Sequence, residues 1–261
     1  MMVSVFEVAL VALVAGCATG LGAIPTLFTH RISHRTYDGA LGLAAGIMFG
    51  AAVFALVVPG LELGSVWEVM AGIALGGLFL LVANALLPHV HLRFGERREH
   101  GAETTIDFEE TDSLRKALLV GSAITIHNVP EGLAIGIAFA SGFEAVGYAL
   151  ALAIAVQNVP DGFAMAVPAA QAGVSRWRTL LYTTLSGGVP EPIAAVLGFA
   201  LVVVVTGLFP LAAGFAAGAM IAVISREMIP SSHGHGYADL ATITFIIGFT
   251  IMLFVDTVLV V

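Results

Sequence analysis

Eight apolar segments, each long enough to cross a lipid bilayer, take up nearly the whole chain. They lie near 3–28, 39–60, 67–88, 114–140, 144–170, 179–206, 209–230 and 238–260. A helix needs about 20 apolar residues to cross the hydrocarbon core. In lipid, backbone groups must bond within their own helix or around a closed barrel, and these segments lack the period-two alternation of barrel strands. The expected fold class is an all-α polytopic membrane protein of eight helices, forming a single transmembrane domain over residues 1–261. Composition agrees, at 59% hydrophobic and 11% charged, which is unlike a soluble domain. The 30 glycines fit helices packed closely in lipid. Nothing here points to a nucleic-acid partner.

The basic residues orient the segments. Arg31 and Arg35, then Arg93, Arg97, Arg98, Arg115 and Lys116, then Arg176 and Arg178, lie in or beside the connections after spans one, three and five. The tenth, Arg226, lies near the end of span seven. By the positive-inside rule these connections face the cytoplasm and both termini face outside the cell membrane. The sequence Val14-Ala15-Gly16-Cys17 resembles a lipoprotein cleavage box. No basic residue precedes it, and the apolar run continues to Phe28, so it reads as part of the first span. One cysteine rules out an intramolecular disulfide framework.

The long polar connection, at about 89–113, carries His89, His91 and His100 among seven acids. It reads as a solvated loop, with weak metal capture as the functional alternative.

The chemistry concentrates in spans four and five. His127-Asn128-Val129-Pro130-Glu131-Gly132 recurs thirty residues later as Gln157-Asn158-Val159-Pro160-Asp161-Gly162. Acids at membrane depth are costly unless paired or functional. His127 and Glu131 are four apart and share a helix face, as do Gln157 and Asp161. Consecutive spans are antiparallel, so the two copies can face each other about an axis in the membrane plane. Pro130 and Pro160 cannot donate to the carbonyls of Ile126 and Val156, so each is expected to kink its helix and free an oxygen, with Gly132 and Gly162 adding room. Carboxylates, amides and one imidazole suit a divalent metal such as zinc, iron, manganese or cadmium. The absence of thiolates suits an ion that must also leave.

Further polar residues follow. Glu191 stands between Pro190 and Pro192 in span six, an acid on an interrupted helix. Arg226 and Glu227, at the end of span seven, either pair and meet the interface or line an exit path. His233 and His235 lie in a glycine-rich connection, where exposure is the plainer reading and help in metal release the functional one. Asp256 is expected at the interface.

These motifs resemble those of the ZIP (Zrt-, Irt-like protein) family of divalent metal transporters, prokaryotic type, over essentially the whole chain. The resemblance implies an inverted-repeat architecture, with His127, Glu131, Gln157 and Asp161 forming one metal position. Asn128, Asn158 and Glu191, with Glu131 and Asp161 bridging, would form a second. It places Arg226, Glu227, His233, His235, His89 and His91 toward an exit. It also implies transport of zinc, cadmium, iron or manganese toward the cytoplasm, no prosthetic group, and homodimers in the bilayer. Three departures stand out: Asp161 replaces the usual Glu, Asn158 stands where binuclear members tend to have an acid, and Arg226 replaces a His. No Walker-type phosphate loop is present. Binding requires deprotonated ligands, so Glu131 and Asp161 are the candidates for coupling proton release to metal entry. An intramembrane metal-dependent hydrolase is the competing reading, weakened by the lack of a His-Glu-x-x-His motif.

Overall fold

The computed structural model of the chain describes residues 3–28, 33–86, 110–171, 173–205 and 207–259, and gives the backbone alone for 85, 86, 110–124, 171 and 259. Among these residues every element is helical. Eight helical segments follow one another: α1 (Val5–Phe28), α2 (His34–Leu63), α3 (Val66–Leu86), α4 (Glu110–Ala140), α5 (Glu144–Gln171), α6 (Arg176–Val204), α7 (Phe209–His233) and α8 (Ala238–Val258). Seven of them, all but α4, are long and apolar enough over their described residues to cross a membrane. Ser4 and Ser33 cap α1 and α2, each hydroxyl accepting a backbone N–H of the first turn, which satisfies donors a helix start leaves open.

Burial separates core from periphery. In α5, 72% of the spanning stretch is buried, against 17% in α8. α3 is nearly as exposed, while α2 and α7 are mostly buried. The pairwise packing has a repeating form. α3 lies along α7 as α8 lies along α2, and α6 packs on α4 as α1 packs on α5. Relating α1–α3 to α6–α8 pairs helices five apart in the chain. If all of them cross the bilayer, such partners run in opposite directions, as an inverted repeat requires.

Small residues set these contacts. Gly72 and Gly76 of α3 meet Gly214 and Gly218 of α7, and Gly42 and Gly46 of α2 meet α8 near Gly248. A methyl group at any of these would lie within 2.4 Å of a facing backbone carbonyl oxygen. Such approach gains dispersion contact where lipid offers no hydrophobic drive between helices.

The prolines divide by whether the helix continues through them. α4 runs unbroken through Pro130, and α5 through Pro160 and Pro168. One missing N–H costs one hydrogen bond, which a packed helix absorbs without ending. The irregular backbone lies elsewhere. α1 tightens to a 3-10 helix over Ala18–Ala23, and α2 and α7 widen to π turns at Ala52–Val57 and Ile224–Met228, each just before a proline. α6 does break, at Val189, and restarts at Pro190 with Glu191 in its first turn. There Gly187 and Gly188 weaken the helix, and Pro190 is suited to begin the next one.

Candidate functional site

α4 and α5 cross with their repeated motifs side by side, and α1, α6 and α7 close around them. Glu131 is fully buried, and its Oε1 accepts a hydrogen bond from Gln157 Nε2 at 2.7 Å. Glu191, also buried, receives Asn158 Nδ2 at 2.7 Å, and the same amide donates to the Ala15 carbonyl at 2.9 Å. Asn128 donates to the Ser186 carbonyl at 2.7 Å, in the last turn before the α6 break. Asp161 lies one turn beyond Gln157, half-buried, and its carboxylate is within electrostatic reach of Glu131, Glu191 and His127. Three acids from three helices therefore share one buried neighbourhood.

Each amide–acid pair is half satisfied. Glu131 Oε2, Glu191 Oε2, Gln157 Oε1 and Asn158 Oδ1 are buried with no hydrogen-bond partner. Buried oxygens left unpaired are costly. Four of them beside like-charged carboxylates make an electron-rich pocket that a hard or borderline divalent cation would satisfy.

His127, within electrostatic reach of Asp161, turns its Nε2 to α7. Its Nε2 lies 2.6 Å from Glu227 Oε2 of α7, oriented so that no regular hydrogen bond forms. Glu227 Oε1 accepts Asn84 Nδ2 of α3 at 2.9 Å. Glu227 thus engages His127 and Asn84, with the exposed Arg226 within its electrostatic reach. Both residues lie on the α7 π turn, Glu227 half-buried and its neighbour facing outward. No three His, Cys, Asp or Glu side chains are set around one point among the described residues.

The remaining expected residues separate. His233 is exposed and braces its own helix end. Its Nδ1 lies 2.9 Å from the Ile229 carbonyl, and its Nε2 lies 3.2 Å from Thr242 Oγ1. His235 is not the solvent-facing residue its glycine-rich setting suggests. It lies beside the buried Asp38. His89 and His91 fall outside the described residues. Asp256 is half-buried near Glu62. Sequence reasoning missed Asn84, Asp38 and His34. The four-residue spacing of His34 and Asp38 was the available signal for two of them.

The two motif glycines have a role beyond making room for an ion. A Cβ on Gly132 would lie 2.3 Å from the Glu191 carbonyl oxygen, and one on Gly162 would lie 1.8 Å from that of Thr19. They let the backbones of α6 and α1 close on the site.

A family model described as ZIP Zinc transporter matches residues 95–256. Among curated proteins, the chain is 39% identical to the zinc transporter GufA of Myxococcus xanthus, over 94% of this chain and 95% of that protein. It is 37% identical to the zinc transporter ZIPB of Bordetella bronchiseptica, over 93% and 78%. It is 31% identical to the zinc transporter ZIP11 of Homo sapiens, over 97% of each.

Proposed function

Since this chain belongs to the ZIP zinc transporter family, whose members are transporters and not enzymes, we propose that it carries divalent transition-metal ions, zinc foremost, through the α4–α5 site. Cadmium, iron and manganese are the other candidates compatible with the ligand types. The distribution of basic residues favours both termini outside the cell membrane, and transport toward the cytoplasm is the direction that the family resemblance implies. Lipid covers the exposed apolar faces of α3 and α8, and a homodimer would use one of them.

One observation carries the reading: two adjacent amides of the second motif, Gln157 and Asn158, each hold a buried acid from another helix by one oxygen and leave other oxygens unpaired. The amides can serve two states. With no ion present, Gln157 and Asn158 turn their N–H groups to Glu131 and Glu191. With an ion present, rotation of the amide turns its oxygen to the metal and leaves the carboxylates to the charge. His127, Asn128, Glu131, Gln157, Asn158, Asp161 and Glu191 form the ligand set, and the weak cost of this exchange suits an ion that must move on. Glu227, with Arg226 and His233 nearby, lies toward the exit.

The test is metal uptake into proteoliposomes loaded with a fluorescent indicator, offering zinc, cadmium, manganese and iron in turn. Uptake by the native chain that His127→Ala and Glu131→Ala both abolish supports the reading. Tight binding without flux from either face defeats it.

Glu227 makes a separate prediction. Its carboxylate and the metal compete for His127 Nε2. Glu227→Gln keeps the shape and removes the charge. An ion pair without a regular hydrogen bond is worth roughly 0.2–1 kcal/mol, so cadmium affinity should rise by up to about fivefold while release slows. Equilibrium binding checks the first effect and the uptake rate at saturating metal checks the second.

A further inference from the structure

Where α1 and α5 pack on the first half of α6 (Arg176–Gly188), two hydroxyl groups break a pattern kept elsewhere in the chain. A threonine in a helix can donate to the carbonyl three or four residues back. Thr19, Thr26, Thr184, Thr242, Thr244, Thr250 and Thr257 all do so. Thr179 and Thr183 do not. They are 1% and 0% exposed, and neither Oγ1 has a hydrogen-bond partner. The two are four apart and share a face of α6. Thr183 abuts α5 beside Asp161, its methyl 3.1 Å from where a Gly162 Cβ would stand. One turn on, Thr19 Oγ1 of α1 and Glu191 Oε1 border one spot, 2.3 and 3.1 Å from where a Gly187 Cβ would stand. Glu191 Oε2 and the oxygen of its partner Asn158 are unpaired as well. Buried polar atoms without partners therefore follow one another from the first turn of α6 to the central acids.

Polar groups inside a protein pair with one another or with ordered water, and a buried water takes two to four polar partners. We propose that Thr179 and Thr183 hold a file of water molecules between α1, α5 and α6, and that this file supplies water to the Glu191 side of the α4–α5 site. Thr179 stands in the first turn of α6, among Arg176 and Arg178, so the file opens at the face that carries the basic residues. Gly16, Gly22 and Gly162 bring the backbones of α1, α5 and α6 within a methyl group's reach of one another. Packing this close admits single waters and excludes a hydrated ion, so the file is not the ion's own route. Glu227 and Asn84 reach the site through α7 and α3 instead. The role of the water rests on the transport reading above, whereas its presence does not. An ion that leaves its carboxylates must exchange each of them for a water oxygen. Water already held beside Glu191 speeds that exchange, so the two hydroxyls act on the rate of release and not on affinity.

The test uses the full chain with Cys17→Ala, which removes the one native thiol, and 2-aminoethyl methanethiosulfonate as the probe. The reagent attacks thiolate, which forms in water and not in lipid. Thr179→Cys and Thr183→Cys should react. Leu181→Cys, at a position exposed on the apolar outside of α6, should not. In proteoliposomes of the otherwise native chain, Thr183→Val keeps the shape and removes the hydroxyl. Maximal zinc uptake should then fall roughly 2- to 10-fold, the worth of one hydrogen bond, with the half-saturating concentration unchanged. Thr183→Ser, which keeps the hydroxyl and loses the methyl, should restore the rate, as a packing role would not. Two results overturn the proposal. One is a Thr183→Cys thiol that reacts no faster than that of Leu181→Cys. The other is a Thr183→Val protein that withstands more heat than the native chain and takes up zinc at the native rate, as expected of an orphaned hydroxyl that holds no water. Failure of the transport reading would show differently, as absent uptake by the native chain, and leaves the thiol reactions intact.

Discussion

Glu131→Gln is expected to abolish metal uptake and, in the same protein, to raise the thermal stability of the metal-free form. Glu131 is fully buried, and only one of its oxygens has a partner, Gln157 Nε2 at 2.7 Å. Asp161 and Glu191 lie within its electrostatic reach. Three acids near one another in a dry site repel, and an uncompensated buried charge is among the costlier features a fold can carry. Glutamine has nearly the same shape. Its oxygen can still accept from Gln157, whose own amide oxygen is unpaired and can take one of the new N–H groups. The change removes repulsion and satisfies orphaned atoms. It also removes a charged ligand, which should cost more than the ~10–100-fold seen for outer partners of metal sites. Uptake should fall at least ~100-fold, and added zinc should no longer stabilise the protein, because stabilisation by a ligand requires that it bind the folded state. Thermal unfolding with and without zinc, read beside uptake, checks both halves. A variant less stable than the native metal-free protein would mean that the acids are held for packing and not for an ion.

This opposition of stability and activity explains which parts of the molecule were legible in the sequence. Helix number and order follow from apolar length alone, because lipid leaves the backbone no alternative to the helix. The repeated motif with its acids was equally plain, since charge within apolar sequence has few bland explanations. Whether the helix continues through the motif was not legible, for a physical reason. A proline removes one hydrogen bond, and whether the helix then breaks depends on neighbours that the local sequence does not show. α4 and α5 are packed on several sides and continue through Pro130 and Pro160, while α6 breaks where two glycines precede Pro190. The π turns of α2 and α7 were hidden for the same reason. Contacts such as Asp38–His235 and His127–Glu227–Asn84 join residues far apart in the chain, and no spacing rule reaches across that distance.

Gly132→Ala is expected to damage uptake out of proportion to the one methyl it adds, although it replaces no ligand. An alanine Cβ there would lie 2.3 Å from the Glu191 carbonyl oxygen and 2.7 Å from the Glu191 Cα. Both are backbone atoms, so no side chain can swing aside, and α6 must move off α4. Overpacking of this kind costs about 1–3 kcal/mol. The functional loss should be larger, because the displaced atoms belong to Glu191 itself. Moving α6 draws that acid away from Asn158 and from the neighbourhood it shares with Glu131 and Asp161. A displacement of about 1 Å at a binding constellation can cost on the order of a hundredfold, so uptake should fall by about that factor while the protein still inserts and purifies. Gly77→Ala in α3 is the matched control. Its added methyl would have its nearest neighbour 3.7 Å away, and alanine favours the helix over glycine by up to about 1 kcal/mol, so that variant should be as stable as the native chain or slightly more so, with uptake unchanged. Equal loss in both variants would mean that any added bulk in these helices is harmful. Loss confined to Gly132→Ala ties the motif glycine to the placement of Glu191.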